Sequence, residues 1–126
     1  MNYEKYELAS KEGKSNCVVR SLCKILDKEY AEVYGDLCNE AEKLKCSSFN
    51  DIIVFESYMK NNNIFKIYYQ KDTKLEEIKF DDGYYIIFCW DKNEYYHMIP
   101  VINNTVYDKN QNYLNLYLLS LYKKNY

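Results

Sequence analysis

The sequence predicts an α+β domain, with helical segments filling the first half of the chain and β-forming segments the second. Three observations carry this reading. Up to Asn63, apolar residues recur at helical spacing between polar breaks. From Ile64 onward, runs rich in Tyr, Ile, Val and Phe take over, bounded by Asn, Asp and Gly. A length of 126 residues, without a Pro- or Ser-rich linker or an internal repeat, allows a real core but only one domain, residues 1–126.

The elements follow in order. Ser15-Asn16 offers the cap of a helix whose Val18, Leu22, Ile25 and Leu26 fall on one face, and Asp27-Lys28 breaks that pattern. A second helix places Tyr30, Val33, Tyr34, Leu37, Ala41 and Leu44 on its apolar side. Ser47 or Ser48 caps a third, which runs through Ile52, Ile53, Phe55, Tyr58 and Met59 and ends at Asn61-Asn62-Asn63. Ile64 to Tyr69 reads as a strand, Lys74 to Lys79 as one helical turn, and Tyr84 to Trp90 as a strong strand.

A hairpin comes next: YYHMIPVI, then Asn103-Asn104, then TVYD. Asn-Asn suits a two-residue turn because Asn tolerates positive φ. Pro100 removes one ladder donor, which implies an edge strand or a bulge. Tyr113 to Tyr122 fits strand and helix equally. The expected assembly is a set of N-terminal helices packed on a C-terminal antiparallel sheet.

Composition narrows the function classes. A formal net charge of −2, with basic residues interleaved among acidic ones, argues against nucleic acid as the main partner. No run approaches the ~20 apolar residues that span a bilayer. The opening MNYEKYELASKEGK lacks a basic stretch followed by an apolar one, so a cytoplasmic location is expected. Five cysteines, at 17, 23, 38, 46 and 89, cannot all pair within the chain and show no zinc-knuckle spacing. With one histidine beside them, neither a metal site nor a cofactor is expected.

Two residues stand out for chemistry. Cys17 falls at the start of the first helix, where free N–H groups and the helix dipole favour an anion and so a reactive thiolate. Cys23, Cys38, Cys46 and Cys89 read as buried, small apolar residues. His97 is the only side chain present that can take a thiol proton and later return one near neutral pH. With Asn103-Asn104 as the turn, Ile102 pairs with Thr105, which sets Ile99 opposite Asp108 and His97 opposite Asn110. Asp108 and Asn110 then share the face of His97, and either can orient its ring. Arg20, one helical turn past Cys17, is near enough to support the thiolate, but the expectation is that it faces solvent or pairs with an acid. Trp90 is expected to pack against the helices rather than line a substrate groove.

The segments NCVVRSLCKILDKEYAEVYGDL, GYYIIFCW and HMIPVINNTVYDKNQN together resemble a group of small papain-like cysteine peptidase-fold proteins of bacteria and their phages. The shared pattern is a Cys-Val-Val-Arg helix start, a Tyr-x-x-Val-Tyr second helix and a His-strand, turn, Tyr-Asp hairpin, from about Asn16 to about Asn112. More distantly, the order Cys, His, Asp/Asn is similar to bacteriocin leader peptidases. The resemblance implies a papain-like fold, with Cys17 as nucleophile, His97 as base and Asp108 as the orienting residue, Asn110 being the alternative. Papain-like enzymes carry a Gln about six residues before the cysteine to complete the oxyanion hole; Lys11 stands there, beside Glu12 and Gly13. The Cys17 N–H and the side chain of Asn16 or Ser15 are the remaining donors.

The expected activity is thiol-dependent hydrolysis or acyl transfer on a peptide, isopeptide or similar amide of a peptide or protein substrate. The competing expectation is a binding or inhibitory protein on the same fold without turnover, for example a phage factor that blocks a host defence enzyme.

Overall fold

Asn16 sits in extended conformation, and its side-chain oxygen accepts from Val18 N and Val19 N, which starts helix α1 (Cys17–Leu26). The structure, a computed structural model, describes residues 1–7 and 16–126. Ser15, Lys11, Glu12 and Gly13 therefore lie outside the described residues. Asp27 ends α1 in the left-handed region, with φ of 54°, as the Asp27-Lys28 break implies. Helix α2 (Tyr30–Lys43) buries Val33, Leu37 and Ala41 but leaves Tyr34 and Leu44 at the rim. Helix α3 (Ile52–Asn61) starts later than the Ser47/Ser48 expectation. Asp51 caps it, because the Ser48 hydroxyl is taken by Asn50 in the preceding turn.

Among the described residues the sheet has six strands: β1 (Asn2–Lys5), β2 (Ile64–Ile67), β3 (Tyr84–Trp90), β4 (Tyr96–Ile102), β5 (Thr105–Asp108) and β6 (Tyr117–Lys124). Their spatial order is β1-β5-β4-β3-β6-β2. The sheet is mixed rather than wholly antiparallel, because β1 runs parallel to β5, with Lys5 opposite Asp108. Nothing in the polar Asn2-Tyr3-Glu4-Lys5 announces a strand; it forms because the outer edge of β5 offers unpaired backbone groups. The ambiguous tail is β6, preceded by a 3₁₀ turn (Asn112–Asn115), and the turn expected near Lys74 is a 3₁₀ turn at Leu75–Glu77.

Two apolar layers hold the sheet. The helices cover one face through Val19, Leu22, Leu37, Val54 and Met59, packed on Ile86 and Met98. The 3₁₀ turns cover the other, where Leu75 and Tyr113 close over Ile87, Ile99, Val106 and Leu118. No helix among the described residues is long and apolar enough to cross a membrane.

Asn103 and Asn104 both take positive φ, 48° and 62°, and form the two-residue β4–β5 turn as expected. The ladder from that turn is short. It joins Ile102 to Thr105 and Val101 to Val106 and goes no further, so neither Ile99–Asp108 nor His97–Asn110 is a paired register position. Pro100 supplies the reason: it has no N–H to give a neighbouring strand. Yet β4 is interior, between β5 and β3, and the register shift in the sheet lies between Phe88 and Cys89 on β3. Pro100 thus ends one ladder inside the sheet rather than marking an edge or a bulge of its own strand.

Candidate active site

The early end of the β4–β5 ladder opens a gap, and α1 fills it. The Ser21 hydroxyl donates to the Met98 carbonyl at 3.0 Å. The Met98 backbone also hydrogen-bonds the Cys17 thiol. Met98 lies two residues before Pro100, so its backbone groups point to the same side of the strand as the proline nitrogen. Sheet polar groups left without a strand partner are satisfied by α1, which seats the start of that helix against β4.

Cys17 is the first residue of α1, and its thiol meets the His97 ring as well as Met98. His97 Nε2 lies 2.8 Å from Asp108 Oδ2, which leaves Nδ1 for the thiol. The other carboxylate oxygen, Oδ1, accepts from Lys109 N at 2.9 Å and lies 3.4 Å from Arg20 Nη2. Strand β1 braces Asp108 from behind, because its carbonyl accepts from Tyr6 N and from the Tyr3 hydroxyl. The Tyr6 hydroxyl in turn donates to the Arg20 carbonyl. Tyr95 stacks on the His97 ring, with centroids 5.9 Å apart and planes 24° from parallel.

The electrostatics match a thiolate–imidazolium pair. Burial pushes the Cys17 thiol up, but the His97 hydrogen bond and charge, the Met98 backbone and Arg20 together leave it below its ordinary value. Burial pushes His97 down, yet hydrogen bonds to Asp108 and Cys17 and their negative charges raise it from 6.5 to about 9. Cys23 and Cys89 are buried and raised by desolvation, the former to about 12. Cys38 and Cys46 are half-buried rather than buried, and all five thiols are free. Among the described residues, no group of three His, Cys, Asp or Glu could hold a metal ion.

Cys17, His97 and Asp108 open on a cleft of about 290 Å³, walled by Asn16, Tyr95, Tyr96, Lys109 and Asn110. No family model, curated protein or solved structure matches this chain, so the site is read from its own geometry. Asp108, not Asn110, touches the histidine. Asn110 lines the cleft, but its side-chain oxygen accepts from Asn112 N at 2.9 Å, which fixes it in the turn beyond β5. Asn16 commits its oxygen to the helix cap, so only its Nδ2 remains to donate toward the cleft, beside the Cys17 N–H of the first helical turn.

Arg20 pairs with an acid, one of the environments expected of it, while the contributions of Tyr95, Tyr3 and Tyr6 escaped the sequence reading. Arg20 is 2 % exposed and joins the site through Asp108; its spacing from Cys17 placed it on the adjacent turn, but its buried partner is 88 residues away. Tyr95 precedes His97 by two residues and so shares its face, a signal that was legible. Tyr3 and Tyr6 gave none, because their contacts depend on β1 joining β5. Trp90 donates Nε1–H to Asp72 and stacks on Tyr96 in the aromatic row beside the cleft.

Proposed function

We propose that this protein is a papain-like thiol hydrolase or acyltransferase that acts on an amide of a peptide or protein chain, with Cys17 as nucleophile, His97 as general base and acid, and Asp108 as the orienting carboxylate. One observation carries the reading: a helix-start thiol, the single histidine and a buried carboxylate stand in line and open on a cleft. The chain order Cys, His, Asp, from an N-terminal helix to a following sheet, suits the papain-like architecture. Free thiols suit a reducing cytoplasm.

The chemistry follows from the protonation states. Cys17 thiolate attacks the amide carbonyl carbon, and the carbonyl electrons move onto oxygen, stabilised by the Cys17 N–H and Asn16 Nδ2. As the C–N bond breaks, His97 gives its proton to the leaving amine, and a thioester remains on Cys17. Water, or an acceptor amine, then attacks the thioester while His97 takes its proton, and the thiolate is released. Asp108 keeps Nε2–H engaged, so that Nδ1 stays turned to the sulfur throughout.

The test is labelling by iodoacetamide, read at the Cys17 peptide by mass spectrometry across pH. Wild-type Cys17 is expected to react at pH values below the ordinary thiol range of ~8.5, and His97→Ala to lose that early reactivity while remaining folded. Equal labelling of wild type and His97→Ala at pH ~6.5 would refute the dyad.

A further inference from the structure

We infer that Arg20 is a positioning residue of the site: acting through Asp108, it sets the pH window in which the Cys17–His97 pair is charged. This rests on the thiol-hydrolase reading above and extends it to a residue which that mechanism does not use.

The geometry separates the two oxygens of Asp108. Oδ2 serves His97 at 2.8 Å, while Oδ1 faces Arg20 Nη2 at 3.4 Å across a contact in which both side chains are nearly inaccessible, at 3 % and 5 %. Arg20 reaches from α1 to Asp108 at the end of β5, 88 residues further along the chain. It stands one helical turn past Cys17, and ties the nucleophile's helix to the carboxylate behind the base. A surface pair would be screened by water; this one is not.

The consequence is electrostatic. A carboxylate shared between two cations pulls less strongly on each than one facing a single cation. With Arg20 in place, part of the field of Asp108 is spent on the guanidinium, and His97 holds its proton less tightly than Asp108 alone would make it. The same positive charge favours the Cys17 thiolate, as its contribution to that thiol shows. Removing Arg20 must then move both groups the same way, toward higher pH.

The other groups around His97 among the described residues leave this prediction intact. Cys17 comes from α1, Asp108 from β5, and Cys89 from β3 directly opposite His97. Tyr95 stacks on the ring from the β3–β4 loop, while Lys109 and Tyr113 stand across the cleft. The Tyr3 hydroxyl donates to the backbone carbonyl of Asp108, and its ring stacks on Tyr113. The Cys89 thiol and the Tyr95 and Tyr113 phenols are raised, hence neutral near pH 7, and Lys109 is exposed to solvent screening.

The experiment uses the fact that the chain has one histidine, so its imidazole C–H signals in an NMR titration report His97 alone. Iodoacetamide labelling against pH reports Cys17 in parallel. Arg20→Met is expected to raise both midpoints by about half to one pH unit, and Arg20→Lys, a cation set less close, by a smaller measurable amount. A residue that served only packing would lower the unfolding temperature without moving either midpoint. Wild-type midpoints in Arg20→Met overturn the proposal. If Arg20→Met does not fold, Arg20→Lys decides alone, and midpoints equal to wild type overturn it. Failure of the underlying reading looks different: in the wild type itself, His97 would titrate near 6.5 and be indifferent to Cys17→Ala.

Discussion

Replacing Asp108 by asparagine keeps the shape of the side chain and removes its charge, at the point where three elements of the site meet. In the native protein this carboxylate faces His97 Nε2 at 2.8 Å and Arg20 Nη2 at 3.4 Å. Its hydrogen bond to His97 leads the interactions that overcome burial and raise the imidazole from 6.5 to about 9. At about 1.4 kcal/mol per pH unit, that difference corresponds to roughly 3 kcal/mol of preference for the charged ring. In Asp108→Asn, only the Cys17 hydrogen bond and charge still oppose burial, and the His97 midpoint is expected to fall from about 9 toward 6.5. The buried Arg20–Asp108 pair loses its negative member, which costs about 3 kcal/mol of folding stability. With the imidazolium gone at neutral pH, Cys17 loses its main support, and its labelling should move toward the ordinary thiol range. NMR titration of the single histidine, with urea unfolding alongside, measures both effects. A folded Asp108→Asn variant whose His97 midpoint stays near 9 would refute the placement of Asp108 behind the ring.

Cys17→Ala removes the thiolate but leaves Asp108, so His97 is expected to titrate below about 9 yet still above 6.5. A histidine raised in the folded state favours the protonated native form. The His97 contribution to stability in that variant is therefore full below pH ~6.5 and lost as pH rises through the folded midpoint; stability that instead rose across this window, in urea titrations, would contradict the pairing. Asn16→Ala strips the cap from Val18 N and Val19 N and should cost about 1 kcal/mol. Because the first turn of α1 carries the thiol, the same variant should label more slowly at pH ~6.5, and an unchanged rate would separate the cap from the chemistry.

Local signals made much of this protein legible. Strand β3 and the Asn103-Asn104 turn are found where β-formers and Asn's tolerance of positive φ put them, because both depend on neighbouring residues alone. The start of α1 was readable for the same reason, and with it the position of Cys17 in a field that favours an anion. His97 and Asp108 could be assigned a common side from strand periodicity even though the ladder does not reach them. The reasoning through paired positions failed at Pro100, while the two-residue period survived it.

What the sequence could not decide is what depends on strangers in the chain meeting. β1 carries no apolar pattern, and it becomes a strand only when β5 presents an open edge, so the bracing of Asp108 by Tyr3 and Tyr6 had no local signature. The choice between Asp108 and Asn110 was open until the turn beyond β5 occupied the Asn110 oxygen. Arg20 was visible as a neighbour of Cys17, but its role waited on a carboxylate 88 residues away. Sequence by itself determined the helix-start thiol, the solitary histidine and the hairpin that carries it, because each is written in propensities that act over a few residues. Tertiary structure alone decided that these groups adjoin, since the gap in the sheet that admits α1 exists only after β4 and β5 have paired and parted at Pro100.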